Sequence, residues 1–327
     1  MTTISASAPG KLVISGEYAV LDGAAAISMA VDRRATVTIA PREGDCHAVT
    51  APGFSDSEGL FSGRSGELSW RAGGEDFALF EKVWNAAGVS SPESLSFVLD
   101  TGSFRENGIK IGVGSSAALA VALATAMSAI SRADDAELAR RAHREFQGGM
   151  GSGIDIASSL AGGVIDYRIG DKGSRRVAWP EDLHYAVFWS GVAADTRSRL
   201  ERLQVQPAAA SRAALGDAAD QFAAVFRNGS VARILEELDH YKEALGRFDA
   251  DYQLGIFGAG HASLIDAASA HGTVYKPCGA GGGDVGIALA AATDSLASFT
   301  GVAETLGFRH LDMNLDLHGA MLTPEAK

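Results

Sequence analysis

The chain holds only two cysteines, Cys46 and Cys278, and its eight histidines show no His-Glu-x-x-His or other ligand spacing. That scarcity excludes a disulfide framework, supplies no zinc cluster and fits a reducing, cytoplasmic setting. Positive charge is short as well, with 28 lysines and arginines against 40 aspartates and glutamates, a formal charge of -12. Nucleic acid and anionic membrane surfaces need a basic face, so neither is expected as a partner. An anionic substrate must then be held by a few placed cations. Long apolar runs are missing: the nearest, 117–130, is too short and too rich in alanine and serine to span a bilayer, and the first residues lack the features of a secretory signal. Also absent are the lysine that a Walker loop places directly before its serine or threonine and the three spaced glycines that open a dinucleotide fold.

What is present is globular in balance, 46% hydrophobic and 21% charged, and at 327 residues it exceeds the usual reach of one core. Two domains are expected, 1–178 and 179–327, with a boundary in the mixed segment 169–180. The first forty residues read as strands at 11–15, 26–31 and 35–39, and 41–74 as loops and short strands. A helix is expected at 77–87 and a strand at 94–100. The stretch 115–131 carries no charge, which predicts a helix buried nearly all round, and 134–147 an amphipathic one. Beyond the boundary come a strand at 184–189, helices within 207–250 broken at Asn228-Gly-Ser, strands at 273–276 and 285–290, a helix at 293–306 and a last strand at 310–317.

The segment Gly112-Val-Gly-Ser-Ser-Ala-Ala118 joins a glycine turn to that charge-free helix. Glycine lets backbone approach an anion without Cβ obstruction, and the first amides of a helix lack intrahelical acceptors, so the pattern suits a phosphate. Ser115 and Ser116 can cap the helix or offer hydroxyls to a nucleotide and its metal. Two more segments accompany it: Ala8-Pro-Gly-Lys-Leu-Val-Ile-Ser-Gly-Glu-Tyr-Ala-Val-Leu21, and Lys276-Pro-Cys-Gly-Ala-Gly-Gly-Gly-Asp-Val-Gly286. In order and content the three resemble the signature motifs of the GHMP small-molecule kinases, and their wording, with Gly151-Ser-Gly-Ile-Asp155, is most similar to the phosphomevalonate kinase branch.

The resemblance implies an α+β two-domain fold: an N-terminal ATP-binding domain with a left-handed βαβ crossover, a C-terminal ferredoxin-like domain, and the active site between them. It implies ATP and Mg²⁺ as cofactors, a small-molecule acceptor, phosphomevalonate, and a monomer or homodimer. Lys11 and Asp155 correspond to the lysine and carboxylate beside the acceptor oxygen, Lys11 stabilising developing charge and keeping the aspartate ionised, Asp155 acting as base or positioning group. A helix-capping aspartate and a strand-end surface lysine are the plain alternatives. The nucleotide falls to Lys110, Gly112, Gly114, Ser115, Ser116 and Ala117, and the metal to Ser116 or Glu17. Lys110 reads equally as a solvated strand-end residue and Glu17 as a local cap. Tyr18, Ser152, Thr196, Arg197, Gly281 and Gly282 are expected at the substrate, the Thr196–Arg197 pair at a helix N-terminus and Arg197 alternatively a surface charge. Position 278 is cysteine where related kinases often carry serine, and nothing nearby argues for a reactive thiol. Another GHMP enzyme, such as mevalonate kinase or the related decarboxylase, and a non-catalytic nucleotide sensor remain as alternatives.

Overall fold

The computed structural model describes residues 2–323 apart from 65–66, 90, 92, 132, 171–173 and 206–209. The alternating N-terminal sequence forms a long antiparallel pair, β1 (Ile4–Ser15) and β2 (Ala26–Pro41). The two expected strands at 26–31 and 35–39 are thus one strand. The charged residues between them are absorbed where the register jumps from Pro9–Arg34 to Gly10–Val31, a bulge that lets the ladder continue past unpaired residues. Because β1 begins at Ile4, Lys11 lies inside a strand and not at its start.

Three strands follow, β3 (His47–Ala51), β4 (Ser55–Arg64) and β5 (Glu67–Ala72), where loops and short strands are expected. The helix α1 (Ala78–Ala87) then carries the chain back to β6 (Leu95–Asp100), which pairs antiparallel with β2 and parallel with β3. Phe61, Phe80, Trp84 and Phe97 fill the space between α1 and these strands, with edge-on ring centroids 5.0–5.7 Å apart. A hairpin, β7 (Arg105–Glu106) and β8 (Ile109–Lys110), leads into α2 (Ser115–Ser131), α3 (Asp135–Phe146), α4 (Ile154–Ala161) and the strands β9 (Val164–Tyr167) and β10 (Arg175–Val177). The helix α2 is buried on almost every side, as its lack of charge predicts: Ala117, Ala118, Ala120, Val121, Leu123, Ala124 and Met127 have no exposed surface.

The second sheet is built from β11 (His184–Trp189), β12 (Val274–Pro277), β13 (Val285–Ala290) and β14 (Arg309–Leu311), in the order β12-β13-β11-β14 with antiparallel neighbours. Between β11 and β12 lie α5 (Thr196–Val205), α6 (Ala210–Asn228), α7 (Val231–Tyr252) and α8 (His261–Ser269), and between β13 and β14 lies α9 (Thr293–Thr305). A βαββαβ path with this strand order is the ferredoxin-like arrangement. Ser230 caps α7 by accepting from the Arg233 amide at 3.4 Å, which explains the helix break at 228–230. The helix α8 lies outside the expected elements.

The expected last strand at 310–317 is shorter than its alternation suggests. β14 stops at Leu311 because the chain leaves the second sheet: Leu315 bridges to Val31, the Asp316 amide donates to Ala30 O at 3.0 Å, and β15 (Met321–Thr323) pairs with β1. The larger sheet therefore runs β10-β9-β2-β6-β3-β4-β5, with β1 on β2 and β15 on β1. No helix among the described residues is long and apolar enough to cross a membrane.

Candidate active site

The three glycine segments converge on the Lys11 side chain. The Lys11 amide donates to Val113 O at 2.8 Å, laying β1 along the turn before α2. A Cβ on Gly114 would lie 3.1 Å from Lys11 Cγ, and one on Gly279 would lie 3.9 Å from Lys11 Nζ. Gly112 is the closest approach: φ is 84°, and a Cβ there would fall 2.0 Å from Cγ of Asp284, so only glycine lets the second and third segments meet. Ala118 donates to Gly114 O at 3.0 Å and starts the helical ladder, so the amides of Ser115, Ser116 and Ala117 precede it at the positive end of α2. The arrangement can hold a chain of phosphates.

Beside this turn lies His143, buried on α3, with Nε2 3.3 Å from Ser116 Oγ. Burial lowers its pKa, against the opposing pull of Asp155, so the ring is neutral near neutral pH. Asp155 is half-buried in the first turn of α4 and its Oδ1 accepts from the Ile156 amide at 2.9 Å. Lys11 and Asp155, expected to be paired, form no ion pair with each other, so the lysine does not hold that carboxylate by direct contact. Ser152 Oγ accepts from the Ile154 amide at 3.4 Å and its carbonyl accepts from Tyr167 OH, which shapes the turn into α4. A cleft of about 720 Å³ opens here, with His143, Ser152 and Gly153 in its wall. Lys110 is exposed on β8, and its charge reaches both His143 and Asp284.

Asp284 was not among the expected site residues, although it ends the third glycine run. Its Oδ1 accepts from the Ala194 amide at 3.0 Å, and its carbonyl accepts from the Ser190 amide at 3.0 Å, joining that run to the turn after β11. Burial raises its pKa, while the Ala194 amide, Lys110, Lys11 and Arg199 pull it down. Arg199 is the second residue outside the expectations. Its Nε donates to Leu254 O and one terminal nitrogen to Asp195 O, each at 3.0 Å. The guanidinium lies against Gly282, where φ is 66° and a Cβ would sit 1.8 Å from it, so this glycine is needed both for its backbone and for the arginine. Gly281 lies beside it, against Ile256.

Four of the expected site residues are engaged by contacts within the chain. Arg197 points away: its side chain is 81% exposed and pairs with Glu201 one turn on. Two residues along a helix is about 200° of rotation, so Arg197 and Arg199 face opposite ways. Thr196 is exposed too, and at the N-terminus of α5 Asp195 already caps one amide, its Oδ1 accepting from Ser198 at 3.0 Å. Glu17 is no free metal ligand, because one carboxylate oxygen pairs with Lys276 and the other accepts from Tyr241 OH at 2.8 Å, all three buried. Tyr18 is buried and donates its hydroxyl to Ala280 O at 2.7 Å, which fastens the first segment to the third and leaves that proton committed. Cys278 is buried, and burial pushes its thiol up to about 11, so it is inert as expected.

The third run is also held from behind. His261, fully buried at the start of α8, has Nε2 3.0 Å from Gly283 O and Nδ1 2.8 Å from Tyr275 OH. A carbonyl only accepts, so Nε2 carries the proton and Nδ1 accepts from the tyrosine. Burial drives the pKa of this ring down from 6.5 to about 4. The unfolded chain therefore binds the proton first, and the stability His261 contributes is present above pH 6.5 and lost as pH falls towards 4, about 3 kcal/mol in all. Urea unfolding between pH 7 and pH 4 is expected to show a steeper loss of stability in the wild type than in His261→Gln, which keeps a donor for Gly283 without the titration. Parallel pH profiles would overturn this.

Residues 101–163 match the family described as GHMP kinases N terminal domain. The phosphomevalonate kinase of Streptomyces sp. (strain CL190) is 31% identical over 336 residues, which cover 88% of this chain and 90% of that one. The mevalonate kinase of Bos taurus is 29% identical over 349 residues, covering 86% and 85%. Among solved structures, Streptococcus pneumoniae phosphomevalonate kinase in complex with phosphomevalonate and AMPPNP shares the fold with a TM-score of 0.79, at 18% identity over 96% of this chain and 99% of that one.

Proposed function

The chain belongs to the GHMP kinase family, and from that premise we propose that it transfers the γ-phosphoryl group of ATP to the phosphate of 5-phosphomevalonate, giving 5-diphosphomevalonate and ADP for isoprenoid synthesis. The observation that carries the reading is the meeting of three glycine segments around the Lys11 side chain, with the open amides of α2 on one side and, beside that turn, His143, which feels the charge of Asp155 at the start of α4. Residues 1–178 are proposed as the nucleotide-binding domain and 179–327 as the second domain, with 321–323 returned to the first sheet.

In the reaction an oxygen of the acceptor phosphate forms a bond to the γ-phosphorus while the bond to the β–γ bridging oxygen breaks and ADP leaves with that electron pair. Lys11 offers fixed positive charge to the transferring group, and Ser115, Ser116 and the amides of residues 115–117 hold the phosphate chain. A phosphate acceptor is largely ionised at neutral pH, so Asp155 orients it more than it removes a proton. No group of three or more acidic, histidine or cysteine side chains able to cage a metal occurs among the described residues. Mg²⁺, which takes oxygen ligands and keeps waters, would be held by Ser116 at the phosphate turn and would supply neutralisation of phosphate charge there.

Mevalonate as acceptor is the second reading, favoured by the 29% identity to the bovine mevalonate kinase. ADP release with ATP, Mg²⁺ and each acceptor separates the two. The expected result is a catalytic efficiency about a hundredfold higher on 5-phosphomevalonate than on mevalonate, since a site that leaves its cations unpaired when a phosphate is missing loses a few kcal/mol. Equal efficiency, or a preference for mevalonate, would overturn the acceptor and keep the kinase.

A further inference from the structure

The cleft beside Asp155 has an unusual lining for so acidic a chain. Arg140, Arg144 and Arg212 border it, and no aspartate or glutamate does so among the described residues. Arg212 is already answered by Asp22, through two hydrogen bonds of 2.6 and 2.7 Å. Arg140 and Arg144 are not: they stand one turn apart on α3, both exposed, and neither forms an ion pair with a described residue. Like charges at this spacing repel, so the pair is a cost to the free protein that an anion between them would remove.

The cleft also adjoins the phosphate turn through a shared residue. His143, between the two arginines in sequence, has one side in the cleft and its Nε2 on Ser116 of the phosphate turn, while Gly153 and Ile156 flank Asp155. The rest of the wall includes Leu21, Leu200 and Leu203, which suits a short carbon chain, and the volume of about 720 Å³ is ample for a six-carbon acid. We propose that Arg140 and Arg144 form an oxyanion subsite that holds the acceptor by a carboxylate or phosphate group, a role for which Arg197, paired with Glu201 and outside the cleft lining, is less suited. The inference rests on the kinase reading above. Arginine suits the task because its planar fork binds either group through two parallel hydrogen bonds.

The test compares the wild type with R140Q, R144Q and the double variant, whose exposed side chains leave the melting temperature unchanged. Each single change is expected to raise KM for the acceptor at least about tenfold, the usual worth of a charge-assisted bond, with KM for ATP within about twofold. A rise on both 5-phosphomevalonate and mevalonate assigns the carboxylate, and a rise on 5-phosphomevalonate alone assigns the phosphate. An unchanged acceptor KM, or a rise confined to ATP, overturns the subsite. Titration with inorganic phosphate at fixed ionic strength reads the cleft without turnover. If the wild type turns over neither acceptor, the function fails by itself, whereas the subsite stands on weaker phosphate binding by the double variant and falls on equal binding.

Discussion

Replacing Lys11 by methionine is expected to lower kcat for ADP release by about 10²–10³ and to leave the fold and the affinity for an ATP analogue nearly unchanged. Methionine keeps an unbranched stem, which is what packs against Gly114, and removes only the charge. That charge sits where the backbone of the first, second and third glycine segments meets, and its field is felt by Asp284. Phosphoryl transfer gives the protein little covalent work, so the rate depends on fixed positive charge at the oxygens where negative charge is redistributed. A group held by strand and turn needs no reorganisation at that moment, and the loss of one such donor typically has the stated size. Lys110 is the contrast: exposed on a short hairpin, it has water to screen it, and Lys110→Met is expected to cost less than tenfold. A kcat for Lys11→Met within threefold of the wild type would remove the ammonium from the mechanism.

The central helix was legible because seventeen residues without a charge have no face to offer water, and the glycine turn before it was legible as a turn. The contacts among the segments were not legible. Glycine 112 reads as a turn residue, and nothing local says that its missing Cβ makes room for Asp284, 172 positions later. The arginines of α5 show a nearer failure. Arg197 and Arg199 look alike in sequence, and the signal that separates them is weak: one turn after Arg199 comes the buried Leu203, and one turn after Arg197 comes Glu201. The bulge in β2 hid behind a charged triplet that resembles a break between strands. The arginines of α3 read as the polar face of an amphipathic helix, which they are, and only the fold shows that a cleft lies over that face.

Lys276→Met is expected to lower folding stability by about 3–5 kcal/mol, the usual penalty for leaving one buried charge without its partner. Lys276 is fully buried on β12 and pairs with Glu17, whose side chain is 2% exposed, and the other oxygen of Glu17 accepts from the buried Tyr241. The methionine fills the same space and cannot neutralise the carboxylate. Adding Glu17→Gln should recover most of the loss, because the amide oxygen still accepts from Tyr241 while no charge remains to be desolvated. The cycle therefore separates the worth of the pair from the cost of breaking it. It also tests position, since Glu17 lies between Gly16 and Tyr18 of the first glycine segment and Lys276 begins the third, 259 residues away. If the pair sets the distance between those segments, the double variant regains stability but keeps a reduced kcat. If burial alone is served, stability and kcat return together. A loss below about 1 kcal/mol in Lys276→Met by urea unfolding would show that water reaches the carboxylate and that the ion pair is not closed.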